Sequence, residues 1–221
     1  MLKDILDTEE LRKLDAKAIR IGFTERVLIE NASSNMCCLI DSFNLGKKVL
    51  AVAGRGNNGA DALACARKLA NRGYEVYTAI VADKKINNEC FSQADLLKRL
   101  QIPVDFIKDD NGIVRLKELL RKVDFVLDGI LGIGVKREVE GILKNAIDSI
   151  NAGGKKIVSC DVPSGLNPDE GTVGSTAIRA DYTVTFLSYK KGFLTEESKR
   201  HCGKIYVTDI GVSREILDKL G

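Results

Sequence analysis

The 221-residue chain predicts a three-layer αβα, Rossmann-like α/β fold. The sheet is expected to be mostly parallel, of about seven or eight strands with core order 3-2-1-4-5-6-7, and to carry two extra N-terminal helices. Three observations predict it. Short apolar runs alternate with helical patterns from Lys48 to Thr208, and such alternation builds a parallel sheet with right-handed crossovers. The first unit, KVLAVAGRGNNGAD (48–61), passes from a buried-strand run through glycines into a helical pattern. No repeat, low-complexity tract or linker interrupts the alternation, so residues 1–221 are expected to form a single domain.

Residues 7–21 read as an amphipathic helix, with an Asp7/Glu10 capping box, a stripe of Leu11, Leu14, Ala18 and Ile21, and Gly22 as its stop. A second helix is expected over 24–43, where Asn31 sits in an apolar run as a packed amide or a ligand contact. After the strand at 49–53, further strands are expected at 75–81, 104–107, 125–128, 156–160, 182–186 and 204–208. Helical patterns occupy 62–72, 89–100, 113–121 and 142–151. The stretch 165–180, rich in Gly, Pro, Asn, Asp, Ser and Thr, reads as a loop long enough to be functional.

Composition narrows the function classes. Hydrophobic residues make up 44% and charged residues 29%, ordinary for a globular chain. Lys+Arg 34 against Asp+Glu 31 leaves a net charge of +3, which argues for neither a nucleic-acid nor an acidic-membrane partner. Apolar runs stay short of the ~18 residues a membrane span needs. The six cysteines lack a C-x-x-C pair and several fall in apolar runs, so they read as buried free thiols in a reducing compartment, the cytoplasm by default.

Chemistry-bearing residues collect just past strand ends, where open α/β sheets bind ligands. Asn57, Asn58 and Asp61 follow the first strand; Asp128 and the segment Gly132-Ile133-Gly134-Val135-Lys136-Arg137-Glu138 follow the fourth. Asp161, Pro163 and Ser164 follow the fifth, and Tyr189, Lys190 and Lys191 the sixth. The spacing Gly54-x-Gly56-x-x-Gly59 suits a backbone cradle for phosphate at a helix N-terminus, though a tight βα turn uses the same glycines. Asp128 could instead cap a helix, Asp161-x-Pro163 could be a rigid turn, and Lys190-Lys191 taken alone reads as a solvated pair. The sole histidine, His201, lies in a charged segment and is expected at the surface, which leaves His-based triads and His-rich metal sites without their residue. Neither a G-x-S-x-G elbow nor a Lys-Ser/Thr after the glycines is present.

Together these segments resemble the NAD(P)HX epimerase family, also called the YjeF N-terminal domain. The residues that carry the resemblance are GRGNNGADA (54–62), DGILGIGVKR (128–137), DVPSG (161–165) and TFLSYKKGF (185–193), with VLIENA (27–32) and GKIYVTDIG (203–211) beside them. The resemblance implies an isomerase that interconverts the R and S forms of hydrated NADH and NADPH (NADHX and NADPHX) in nicotinamide nucleotide repair. It implies that Asn57, Asn58, Gly59, Ala60 and Asp61, with Gly132 through Glu138, hold the substrate nucleotide, and that Asp161 contacts the reacting ring. It also implies one potassium ion per subunit near Asn58, Asp128 and Ser164, a homodimer, and an NAD(P)HX dehydratase as functional partner.

The chain departs from the family pattern at Ala60 and Ala62, which replace glycines, and at Glu138, which replaces a proline. If position 60 needs a positive φ, Ala60 carries strain of about 1–2 kcal/mol. For the chemistry, Asp161 is the expected acid–base group, with Lys190 holding it ionised or positioning water. Two other readings compete: a non-catalytic nucleotide-binding or scaffolding member of the fold, and a nicotinamide dehydrogenase with Asp83 as its ribose-binding acid. The second lacks a Tyr-x-x-x-Lys or His-based proton relay.

Overall fold

A computed structural model of the chain describes residues 5–134 and 138–219. In chain order its elements begin with β1 (Ile5–Leu6), α1 (Thr8–Arg20), α2 (Glu25–Phe43), β2 (Lys48–Ala53), α3 (Asn57–Asn71) and β3 (Glu75–Val81). Next come α4 (Asn88–Arg99), β4 (Val104–Ile107), α5 (Asp110–Leu120), β5 (Phe125–Gly129), α6 (Gly141–Ala152) and β6 (Lys156–Cys160). The chain closes with β7 (Tyr182–Phe186), β8 (Tyr189–Lys190), a 3-10 turn (Lys191–Leu194), α7 (Glu196–Cys202), β9 (Lys204–Thr208) and α8 (Arg214–Lys219).

Seven strands form one parallel sheet in the order β4-β3-β2-β5-β6-β7-β9. This is the expected order. It puts β2 and β5 side by side at the centre, with Ala53 level with Gly129 at their carboxyl ends. Along β2 the side chains alternate: Val49 and Ala51 pack with α2 and α3, while Leu50 and Val52 pack with α5 and α6. Both faces are therefore buried, which is why the strands read as continuous apolar runs.

The caps agree with the local sequence. Asp7 accepts from the N–H groups of Glu9 and Glu10, and Glu10 reaches back to the Asp7 N–H at 2.9 Å, completing the capping box. Gly22, at φ 111, follows the C-cap of α1. Helix α3 begins at Asn57, five residues ahead of the expected Ala62, so the polar part of the glycine segment is its first turn rather than a loop. The 165–180 segment forms turns closed by a Leu166–Val173 bridge. It does not line the cavity at the carboxyl ends of β2 and β5, and Asp169 accepts from the Thr8 N–H (2.7 Å) and hydroxyl (2.6 Å), tying down the start of α1.

Strands β1 and β8 leave no periodic pattern in the sequence. They pair in parallel, Leu6 level with Lys190, and so anchor the residue that carries Lys190 to the N-terminal segment. All six cysteines are free thiols, with Cys38 alone exposed. His201 is a correction: it lies in α7, half-buried, with Nδ1 2.9 Å from the Ile178 carbonyl.

Candidate active site

The glycines of the β2–α3 turn are there chiefly for close packing. A Cβ on Gly54 would lie 1.8 Å from the Ile130 carbonyl oxygen, and one on Gly59 would lie 2.2 Å from that of Gly54. Gly56 meets nothing and is the N-cap of α3, with no side chain capping the helix. The N–H groups of Asn57, Asn58 and Gly59 therefore have no partner within the helix, the arrangement that receives anions. Ala60 is different. Its N–H is already bonded to the Gly56 carbonyl at 3.1 Å, it is not among the positive-φ residues, and its methyl is buried with Ile29 and Leu63. The strain expected at Ala60 is absent because position 60 is helical. Ala62 is accommodated by Gly129, where a Cβ would come within 2.5 Å of the alanine methyl.

Asn57 and Asn58 have separate roles in holding the turn. Asn57 Oδ1 accepts from Asn87, the N-cap of α4, at 2.6 Å. Asn58 Nδ2 donates to the Leu131 carbonyl at 2.8 Å, while its buried Oδ1 has no hydrogen-bond partner among the described residues. The 130–131 backbone that Asn58 bonds also bonds a second buried group. Asp128, 0% exposed at the end of β5, accepts from the Ser164 hydroxyl (2.6 Å) and N–H (3.0 Å), the Ser159 hydroxyl (2.8 Å) and the Ile130 N–H (3.2 Å). Burial pushes the Asp128 carboxyl up, against these hydrogen bonds, which favour its ionised form.

Asp161 follows β6 in a left-handed conformation, φ 63, and Leu187 shares it at φ 64. Such backbone costs about 1–3 kcal/mol per residue and is kept where the surroundings impose it. Here they do: the Asp161 N–H donates to Val184 and the Leu187 N–H to Thr208, both at 2.8 Å. Asp161 Oδ1 accepts from Thr185 Oγ1 (3.1 Å) and the Phe186 N–H (3.1 Å), and pairs with Lys190 Nζ at 2.7 Å. Lys190 also donates to the Phe186 carbonyl at 2.9 Å. At 1% exposure it is a buried cation with a dedicated partner, not the solvated half of a lysine pair.

These pieces surround one cavity of about 510 Å³, in the range for small-molecule sites. It brings together Asn57, Asn58, Asp61, Gly132, Ile133, Gly134, Asp161 and Lys190. Gly59 and Ala60 are buried behind it, and Asp128 and Ser164 sit beneath its floor residues Ile130 and Leu131 through their hydrogen bonds. Glu138 is exposed and does not line the cavity; its side chain lies against Gly174. Val135, Lys136 and Arg137 lie outside the described residues. Asn31 packs on Gly211 rather than facing the cavity, and Asp83 is exposed away from it.

Sequence reasoning missed one wall. Helices α1 and α2 contribute Leu11, Asp15, Ile19, Glu25, Leu28 and Ile29. The signal was available: Asp15 stands one helical turn after Leu11 and next to Leu14, an acid on the apolar side of the helix. Burial, then the negative charge of Asp161, pushes the Asp15 carboxyl up to about 6. Burial, then Asp161 and Asp15, pushes Asp61 far above the usual carboxylate range. Perturbed acids gathered in one cleft mark a candidate catalytic site.

The chain resembles known proteins over nearly its whole length. The chain is 38% identical over 213 residues to an NAD(P)H-hydrate epimerase of Lentilactobacillus buchneri, covering 95% of each chain. It is 34% identical to a bifunctional NAD(P)H-hydrate repair enzyme of Thermofilum pendens, covering 95% of this chain and 40% of that one. In fold it matches the crystal structure of the yeast protein YNL200c with a TM-score of 0.80 at 24% identity, over 99% of this chain and 93% of that one. The family described as YjeF-related protein N-terminus matches residues 25–192, from the start of α2 to two residues past the lysine of the buried ion pair, and the chain belongs to that family.

Proposed function

We propose that the chain is an isomerase that interconverts the R and S epimers of hydrated NADH and NADPH at C6, in nicotinamide nucleotide repair. Family membership and the names of its relatives support the substrate class. The observation that carries the chemistry is the buried Asp161–Lys190 pair on the wall of a nucleotide-sized cavity.

In the hydrated cofactor, C6 bears a hydroxyl and is bonded to the ring nitrogen. When an acid protonates that hydroxyl it leaves as water, and the nitrogen lone pair forms a C6=N bond. Water returning to the other face, with loss of a proton to a base, restores the ring with C6 inverted. Asp161 suits the handling of a proton and the stabilisation of the transient positive charge, with Lys190 fixing its orientation. The unpartnered N–H groups of Asn57, Asn58 and Gly59 suit the substrate phosphates, and Gly132, Ile133 and Gly134 its nucleotide.

The residues also fit a potassium ion. Among the described residues there is no cluster of three His, Cys, Asp or Glu side chains of the kind that holds a transition metal. An orphaned amide oxygen on Asn58, the buried Asp128 carboxyl and the Ser164 oxygens are instead the hard donors a monovalent cation takes. Such an ion would balance the Asp128 charge and fix the first turn of α3. A homodimer, a cytoplasmic address and a dehydratase partner complete the reading; the last is supported by bifunctional relatives of which this chain spans about two fifths. No helix of the described residues is long and apolar enough to cross a membrane.

Incubation with NADHX tests the function. Exchange between epimers without oxidation is expected; oxidation would favour a dehydrogenase, and binding without turnover a non-catalytic member.

A further inference from the structure

The cavity holds more acid than one ion pair accounts for. Asp15 from α1, Asp61 from the first turn of α3 and Asp161 after β6 all line it. The ammonium of Lys190 is committed to Asp161 and the Phe186 carbonyl. Among the described residues, neither Asp15 nor Asp61 has a hydrogen bond or ion pair through its carboxyl group. Buried or half-buried acids without partners are costly to keep.

Inversion at C6 sets a requirement that a single carboxyl meets poorly. The hydroxyl leaves from one face of the ring and water adds to the opposite face, so proton transfer is needed on both sides. Asp161 enters the cavity from the end of β6, whereas Asp15 enters it from helix α1. We infer that Asp15 is the second acid–base residue of the epimerisation, exchanging a proton with the C6 oxygen on one face while Asp161 serves the other. This inference rests on the epimerase reading.

The step balances. The Asp15 proton goes to the hydroxyl, and the C–O electron pair leaves with it as water while the nitrogen lone pair forms the C6=N bond. Water then adds to C6 from the far face, its proton passes to Asp161, and the C=N pair returns to nitrogen. The reverse epimerisation runs the same transfers backwards, and exchange with solvent through the open cavity resets the two carboxyls.

Asp15 suits this better than Asp61. It is half-buried and open to the cavity, so it can regain a proton, whereas Asp61 is 9% exposed and lies in the helical turn whose N–H groups face the substrate phosphates. Its place is fixed from three sides. The capping box and the Thr8–Asp169 bonds set the start of α1, and Arg12 Nη2 donates to the Ile133 carbonyl at 3.3 Å. The charged groups that share the cavity with it are Arg55 after β2, Asp61 from α3, Asp161 after β6, Lys190 from β8 and Glu25 from α2. With its carboxyl pushed up to about 6, Asp15 retains a share of protons near neutrality, as a general acid needs.

The test is steady-state epimerisation of NADHX by the wild-type chain, Asp15→Asn and Asp15→Glu across pH 5–9, with thermal unfolding as a check on folding. For Asp15→Asn, kcat is expected to fall about 10²-fold or more with KM nearly unchanged, and the pH limb near 6 to disappear. Asp15→Glu should recover part of the rate and regain a limb in the acid range. A folded Asp15→Asn chain with wild-type kcat, or one that loses rate while keeping the wild-type pH profile, would overturn the assignment and leave the epimerase reading standing. A wild-type chain that does not epimerise NADHX at all would overturn both.

Discussion

Lys190 Nζ lies 2.7 Å from Asp161 Oδ1, and the two side chains are respectively 2% and 12% exposed. The partners are not equally dependent on each other. Without Lys190, Asp161 still accepts from Thr185 Oγ1 and the Phe186 N–H and still opens onto the cavity. Without Asp161, Lys190 keeps only the Phe186 carbonyl and stays buried. Removing one partner of a buried pair costs about 3–5 kcal/mol when a charge is left uncompensated. Asp161→Asn is therefore expected to destabilise the fold more than Lys190→Met. Urea denaturation of the two variants checks the order, and the reverse order would contradict this account of the pair.

Potassium should stabilise the chain. An ion bound only to the folded state raises stability with its concentration, by about 2.7 kcal/mol at a hundredfold excess over its Kd. The melting temperature is expected to be higher in potassium chloride than in choline chloride at equal ionic strength, and Asp128→Asn should remove the difference. Equal melting temperatures of the wild-type chain in the two salts would count against the site.

Glu30 of α2 joins three helices. Its Oε1 accepts from Arg67 Nη2 (2.5 Å) and Gln93 Nε2 (3.0 Å), and its Oε2 lies 2.7 Å from Lys68 Nζ. Burial raises the carboxyl, but the hydrogen bonds from Lys68, Arg67 and Gln93 outweigh it and hold the group down at about 2. A depressed carboxyl stabilises the fold fully above its unfolded value of about 4.3, and that stability is lost as pH falls towards the folded value. Wild type should therefore melt higher than Glu30→Gln at pH 6, with the gap closing between pH 4.5 and 2. A gap that does not change with pH would contradict the assignment.

Ala60→Gly restores the glycine of the family pattern and is expected to destabilise. A glycine inside a helix costs roughly 0.5–1 kcal/mol, and loss of a buried methyl adds about 0.8 kcal/mol. The melting temperature should drop by a few degrees, as differential scanning calorimetry would read; a rise would mean that position 60 does need a positive φ.

Much of the fold was legible because its signals are local. Both-face burial of the parallel strands produces the apolar runs at Val49–Ala53 and Phe125–Leu127, and the Asp7/Glu10 box announces α1. The two-residue strands β1 and β8 were not legible, since a pairing between Leu6 and Lys190 leaves no periodicity to read. Lys190 likewise looks like a surface lysine beside Lys191; only the tertiary approach of Asp161 makes it a buried cation. The start of α3 was displaced for a different reason. Asn57, Asn58 and Gly59 are poor helix formers, and what makes them helical is the packing of Gly54, Gly59 and Gly129 against neighbouring backbone. The strand-end segments of the site could be found from sequence, but the wall supplied by α1 required knowing that the N-terminal helices close over the sheet end.

The central claim is catalysis of epimer exchange at the Asp161–Lys190 cavity. It is tested most directly by following pure R-NADHX to the R/S mixture by chiral chromatography, without ATP, for the wild-type chain and for Asp161→Asn with folding verified. The account predicts rapid equilibration by the wild type with no change in redox state. It predicts a kcat lower by about 10²–10⁴-fold in Asp161→Asn, with nucleotide affinity little altered. Equilibration by the wild type no faster than the spontaneous reaction, or turnover by Asp161→Asn equal to that of the wild type, would contradict it.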